Sequence, residues 1–358
     1  MVLRPESSVG SPSASGVQVS TVEQQVSHHP MIRGKRLLSM GTSNASQSLV
    51  DSHRHWWKSS ASLPSAFSTS LAEYFASAAV QLGHTVRDAD FRNVLEDLWI
   101  DPDGTRTIES MDAAGISCSI LLGGGFRFDR ADPTDMFEAA NQQLVGLASR
   151  FPGRFIVFCG SDPGCRQAAG TLASWLDAND AVRGVKLDPM AGRYEIQDDR
   201  MLAIYKVVAD RGRPIVMHTG PRPEDPLSAY ARPGPLKRIL EAFPDLRIVA
   251  AHAGFSWWRE LLDMAVLPNL LCDISGYQLT AAVHPQKFVV ILRRLIDAFG
   301  EHRVLFGSDS PTFDWFMSPS EWIAFLRGLP SREDLPVRVT ANEIEAILRS
   351  GNVLLSHD

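Results

Sequence analysis

Pro214-Ile215-Val216-Met217-His218-Thr219-Gly220 reads as a short buried strand closed by a histidine, and Arg247-Ile248-Val249-Ala250-Ala251-His252-Ala253-Gly254 repeats the pattern one unit later. Between them, residues 236–243 carry a helical apolar period. A continuous apolar run rich in β-branched residues suits a strand covered on both faces, as parallel sheets require. Strand, helix and strand in that order make a βα repeat. The pair therefore predicts a parallel sheet whose strand ends carry imidazoles.

The alternation continues in both directions. Upstream, residues 116–122, 155–158 and 184–187 read as strands, and 108–114, 135–150, 168–177 and 201–211 as helices. Downstream, 270–273 and 304–306 read as strands, and 257–266 and 288–299 as helices. With the apolar run ending at Val50, this makes about eight βα units of about 30 residues each, the pattern of an α/β fold of the (β/α)8 TIM-barrel type. A doubly wound sheet is the rival, but it would offer a glycine-rich phosphate turn after its first strand. Histidines stand there instead, and Gly123-Gly124-Gly125 after the second strand lacks the GxGxxG spacing.

The chain has 358 residues, 44% hydrophobic and 21% charged, with a net charge of -6. That profile suits a globular enzyme and gives no global field for nucleic acid or an anionic membrane. No apolar run reaches the roughly 20 residues needed to span a bilayer. Four cysteines without CxxC pairing suggest buried thiols in a reducing compartment, and hence a cytoplasmic protein. Residues 1–46 are rich in Ser, Gly, Val and Gln without an apolar period, which predicts a disordered tail ahead of one domain over 47–358. No apolar core follows the first basic residue, so a secretory signal is not expected. A transit peptide and an over-extended start, with Met40 as the true one, stay open. The expected partner is a small-molecule substrate, and a homodimer is compatible with the sequence.

Four polar sites follow apolar strands, and in a parallel barrel all strand C-termini open on one face. In Asp51-Ser52-His53-Arg54-His55 the two histidines are two apart, so a strand points both to one side, where they can share a cation. Alone, an HxH pair reads equally well as two surface histidines. His218 and His252 each close a buried strand, where an imidazole needs a partner; singly, each is more often a hydrogen-bonded core residue. Asp309 in Gly307-Ser308-Asp309 could merely cap a helix. The coincidence of all four at strand ends is what argues for a site. Arg127, Arg222, Trp56, Trp257 and Tyr277 follow strand ends and are candidates to line a substrate cavity, the arginines suiting a carboxylate; Trp57, beside Trp56, could wall the same pocket, or both could simply pack against the barrel rim.

The order HxH, strand-end His, strand-end His, strand-end Asp resembles the amidohydrolase superfamily. The phrases around Val50, Gly184, Ile215, Tyr230, Phe243, Asp273 and Leu305, and the closing Gly351-Asn352, are similar to its amidohydrolase-2 branch, which includes aminocarboxymuconate-semialdehyde decarboxylase-like proteins. The resemblance implies one divalent ion, zinc in preference to manganese, bound by His53, His55, His218 and Asp309, with His252 beside the activated water. Asp309 would also accept a proton, and Asp51 would hold a histidine tautomer or simply cap the strand. Lys186 is expected to face the substrate or pair with Asp188; in two-metal relatives a carboxylated lysine there bridges the ions. The leading reading is hydrolysis of an ester, lactone or C–N bond of a small, carboxylated substrate by metal-activated water. The alternative is non-oxidative decarboxylation of an aromatic or unsaturated acid. A catalytically dead scaffold is the third reading, opposed by the presence of every ligand type.

Overall fold

The computed structural model describes residues 48–59, 65–81, 93, 96–124, 132–222 and 225–355. Arg127 and the 1–46 segment with Met40 lie outside the described residues. Among those described, eight strands form one parallel sheet in sequential order. They are β1 (Leu49–Arg54), β2 (Ile116–Leu122), β3 (Phe155–Gly160), β4 (Val182–Leu187), β5 (Ile215–Met217), β6 (Ile248–Ala250), β7 (Leu270–Asp273) and β8 (Val304–Leu305). Helices such as Thr134–Arg150, Ala168–Ala178, Asp199–Ala209, Leu236–Ala242 and Pro285–Phe299 run between them. This is the expected TIM barrel.

β8 is short, but the chain beyond it closes the barrel against β1. Ser52 N donates to Phe306 O at 3.0 Å, Asp309 N to His53 O at 2.8 Å, and His55 N to Ser310 O at 2.8 Å. The barrel interior is filled by Ile120, Leu122, Phe158, Val216, Val249, Leu271 and Leu305, so it is a packed core rather than a pore. The larger apolar layer lies between the strands and the surrounding helices.

The C-terminus belongs to that interior. Leu354, in the closing 3-10 turn Ser350–Leu354, packs with the interior residues, and Asn352 Nδ2 donates to Ser48 O at 2.9 Å. Gly351 lets this turn approach β1, since a Cβ there would lie 2.7 Å from Val50 O. Leu354→Ala is therefore expected to lose about 2–5 kcal/mol of stability, the usual range for deleting a buried leucine side chain. Urea unfolding checks this, and a shift under about 1 kcal/mol would mean the turn merely rests on the barrel.

Two departures from the sequence reading have clear causes. The helix expected over 288–299 begins at Pro285, because proline suits the first helical position. A helix at Ser65–Gln81, not foreseen, enters the β1–β2 connection. It buries Leu71, Ala72, Phe75, Ala76 and Ala78 in a cluster with Trp57, Trp99, Leu279 and Phe313. That cluster forms a wall beside the barrel mouth. Cys118, Cys159 and Cys272 are buried and unpaired, and burial pushes the Cys118 thiol up to about 11 and Cys159 to about 12.

Candidate functional site

At the C-terminal end of the strands lies a cavity of about 610 Å³, within the usual size of a small-molecule site. β1 delivers its side chains by the two-residue period of a strand. His55 and Trp57 share the cavity wall with rings 5.4 Å apart and nearly parallel, while His53 sits beneath them with its ring 5.3 Å from His55. Trp56, with the opposite parity, packs into the layer between strands and helices, so of the two tryptophans expected to wall the pocket Trp57 does and Trp56 does not.

The orientation of His53 comes from β7. Its Nδ1 donates to Asp273 Oδ2 at 2.9 Å, which leaves Nε2 as the free lone pair on the other side of the ring. Asp273 also accepts from His252 N at 2.9 Å and Ser275 N at 3.0 Å, and from the Ser275 hydroxyl. Ser275 Oγ lies 2.9 Å from His252 Nδ1. Asp273 thus does what the sequence reading offered to Asp51. Asp51 instead binds Arg54, Ser308 and the His53 backbone, and touches no imidazole nitrogen. Gly307 permits the arrangement, since a Cβ there would come within 2.7 Å of His53 Cβ and 2.9 Å of Ser275 Cβ.

Asp273→Asn should keep the barrel folded but weaken divalent-metal affinity about 10–100-fold, as loss of a histidine's supporting carboxylate commonly does. Metal titration of the apo-protein measures this. Parent-like affinity would show that His53 is oriented without Asp273.

His53 Nε2 is 3.7 Å and His55 Nε2 3.4 Å from Asp309 Oδ1. These gaps are too long for hydrogen bonds, yet two ligand atoms about 2.1 Å from one tetrahedral ion lie about 3.4 Å apart. His53 Nε2 and His218 Nε2 are also buried without a hydrogen-bond partner. A buried lone pair with no donor is costly unless a cation faces it. The residues present therefore fit a divalent ion. Donor atoms of His53, His55 and Asp309 cluster within 4.8 Å, as do those of His53, His252 and Asp273. In the second cluster the His53–Asp273 contact is a hydrogen bond, so the first is the better ion site. His218 joins neither cluster; it stands across the cavity floor with its ring 5.0 Å from that of His252.

The electrostatics agree. Burial, helped by the Lys186 ammonium, holds His53 and His218 well below the ordinary imidazole range and His55 at about 3. Burial and the neighbouring His53 do the same to His252. All four are neutral at pH 7, the form that binds metals. Burial raises the Asp309 carboxyl, opposed by Lys186, and lowers the Lys186 ammonium, opposed first by Asp188 and then by Asp273 and Asp309. His252 stacks on Phe255 at 4.7 Å and adopts left-handed backbone, as does Asp309. Such non-glycine conformations concentrate at functional sites.

Lys186, Arg222 and Tyr277 all line the cavity, with Arg222 Nη2 3.9 Å from Asp188 Oδ2 and Tyr277 Oη donating to Phe255 O at 3.2 Å. Trp257 does not; it lies under the Arg232 guanidinium, 5.5 Å away, because the left-handed run from His252 to Phe255 turns Trp258 inward instead. Sequence reading missed Asp273, Ser275 and Trp258 as site residues, while Trp57 was one of the two tryptophans it offered as a wall. Asp273 did end an apolar run at 270–273, the same signal that marked His218.

The Amidohydrolase family model matches residues 50–350. The chain belongs to the amidohydrolase family. Over 93 residues this amidohydrolase is 32% identical to L-fucono-1,5-lactonase of Burkholderia ambifaria, covering 25% of this chain and 32% of that enzyme. It thus spans about a third of the length of that curated relative. Among solved structures it is similar to the 5-carboxyvanillate decarboxylase of Novosphingobium aromaticivorans complexed with manganese and 4-hydroxy-3-methoxy-5-nitrobenzoic acid (TM-score 0.60, 15% identity, 87% of this chain and 96% of that one). It is also similar to an amidohydrolase of Burkholderia multivorans with bound zinc (TM-score 0.56, 19% identity, 86% and 98%). At these identities the likeness concerns the fold.

Proposed function

We propose that this amidohydrolase is a metal-dependent hydrolase acting on an ester, lactone or C–N bond of a small carboxylated substrate. The observation that carries the reading is the Asp309 carboxylate within 4 Å of His53, His55 and His252 at the cavity floor, at 3.7, 3.4 and 3.9 Å. His53, His55, His218 and Asp309 would hold the ion, with zinc the expected metal for three imidazoles and a carboxylate. When bound, a divalent ion polarises an oxygen and brings water's pKa from 15.7 to about 7. Asp309 accepts the proton released by the attacking water, and His252, supported by Ser275, orients that water. Lys186 and Arg222 hold the substrate's carboxylate, and Trp57, Phe255, Trp258 and Phe313 exclude solvent from it. The sequence similarity to a lactonase supports bond hydrolysis.

Decarboxylation is the second reading, favoured by the aromatic walls of the cavity and the shared fold with decarboxylases. A metal-replete screen of lactones, amides and aromatic acids separates the two. Acid release without CO₂ is the expected result. CO₂ from an aromatic acid, with no hydrolysis of any lactone or amide, would overturn the hydrolase reading.

A further inference from the structure

We propose that Asp51 and Arg54 are positioning residues that set the angle of the Asp309 carboxylate through the serines on either side of it. The inference rests on the proton role given to Asp309 above. Asp309 has φ of 50°, left-handed backbone that disfavours any residue with a Cβ, so its neighbours must impose it.

The imposing side-chain contacts come from β1. Ahead of Asp309, Asp51 Oδ1 accepts Ser308 N at 2.8 Å and Asp51 Oδ2 accepts Ser308 Oγ at 2.6 Å. Behind it, Arg54 Nη1 donates to Ser310 Oγ at 3.0 Å, and Ser310 Oγ donates onward to Asp314 Oδ2 at 2.8 Å. Ser310 N returns to Ser308 Oγ at 3.0 Å. The two charges are locked together, Arg54 Nε to Asp51 Oδ2 at 3.0 Å, and both are almost fully buried. Asp309, its own N–H held by His53 O at 2.8 Å, therefore sits between two residues whose hydroxyls are clamped. The segment that clamps it, β1 and the residue after it, also carries His53 and His55, so imidazoles and carboxylate are held by one stretch of chain.

Stability alone gives little reason for this construction. A buried ion pair can often be replaced by apolar residues of similar volume without loss. What an apolar pair cannot do is fix the direction of two flanking hydroxyls. Misplacing a catalytic group by about 1 Å can cost about 10²-fold in rate.

The test is the Ser308→Ala/Ser310→Ala double variant of the metal-replete enzyme, made in both the parent and the Asp309→Asn background. It removes the side-chain links but leaves the Asp51–Arg54 pair and the Ser308 N–H bond in place. In the parent background, kcat should fall about 10–100-fold, with KM within about twofold and metal content unchanged. In the Asp309→Asn background the same change should cost almost nothing, because the positioned group is gone. An equal loss in both backgrounds would assign the serines a merely structural role, and parent-like kcat would remove the role altogether. If the double variant does not purify folded, Ser310→Ala alone enters the same cycle with the same criteria. Parent-like turnover by Asp309→Asn itself overturns the Asp309 reading and this inference together. A full effect of Asp309→Asn with no effect of the serines overturns only the inference.

Discussion

Asp309→Asn should keep its divalent ion and lose about 10²–10⁴-fold in kcat, the range for removing a general acid or base. Asparagine preserves the shape and one carbonyl oxygen. It can still lie opposite His53 Nε2 and His55 Nε2, as Asp309 Oδ1 does at 3.7 and 3.4 Å. It cannot take a proton on its second position, where Asp309 Oδ2 stands 3.9 Å from His252 Nδ1. The comparison must be made at saturating zinc, with bound metal measured on the same sample, so that weak binding is not read as lost chemistry. A fully metallated variant with parent turnover would show that the carboxylate is only a ligand, and His252 would be the next base to test. His252→Asn should behave like Asp309→Asn, since its Nδ1 is taken by Ser275 and it lies beside the proposed ion site.

His218→Ala should strip the ion and reduce turnover by at least about 10³-fold, because several kcal/mol of Lewis-acid stabilisation go with it and each 1.36 kcal/mol is a factor of ten. His218 is the sharper probe than His53. His53 also supports the Asp273–Ser275 network, so its removal mixes metal loss with local rearrangement. His218 Nε2 has no hydrogen-bond partner to lose. The expected signature is loss of metal by elemental analysis with little change in the unfolding midpoint of the apo-protein. Retention of one ion per chain by His218→Ala would restrict the site to His53, His55 and Asp309, whose donor atoms already cluster within 4.8 Å. Two ions per chain in the parent would instead revive a carboxylated Lys186 as a bridge.

The sequence was most legible where local pattern and burial agree. Apolar runs such as Ile215–Met217 and Leu270–Asp273 are strands because a barrel strand is covered on both faces, and each ends where a polar residue meets the cavity. Helix Ala341–Arg349 begins with a Thr340–Glu343 capping box, a local signal that the sequence reading did not use. Parity on β1 was readable too, but only once its direction was known: His53, His55 and Trp57 share one side, and Trp56 takes the other.

What was not legible depends on contacts between distant segments. Asp51, inside β1, and Asp273, at the end of β7, are both buried aspartates that follow apolar runs, and nothing local tells which one receives an imidazole. The answer comes from register, since β7 brings Asp273 beside His53 while the β1–β8 seam turns Asp51 toward Ser308. Trp257 and Trp258 were likewise indistinguishable until the left-handed run before them fixed which one faces the cavity. The sequence by itself therefore determined the barrel, its order and the residue types at its mouth, because strand and helix periods are local and the topology of parallel units is short-range and right-handed. The tertiary structure alone decided which carboxylate orients which imidazole and which aromatic walls the cavity. The first choice hangs on contacts between residues more than 200 positions apart, such as His53 and Asp273 at 2.9 Å, and the second on a backbone turn from His252 to Phe255 that no side-chain period encodes.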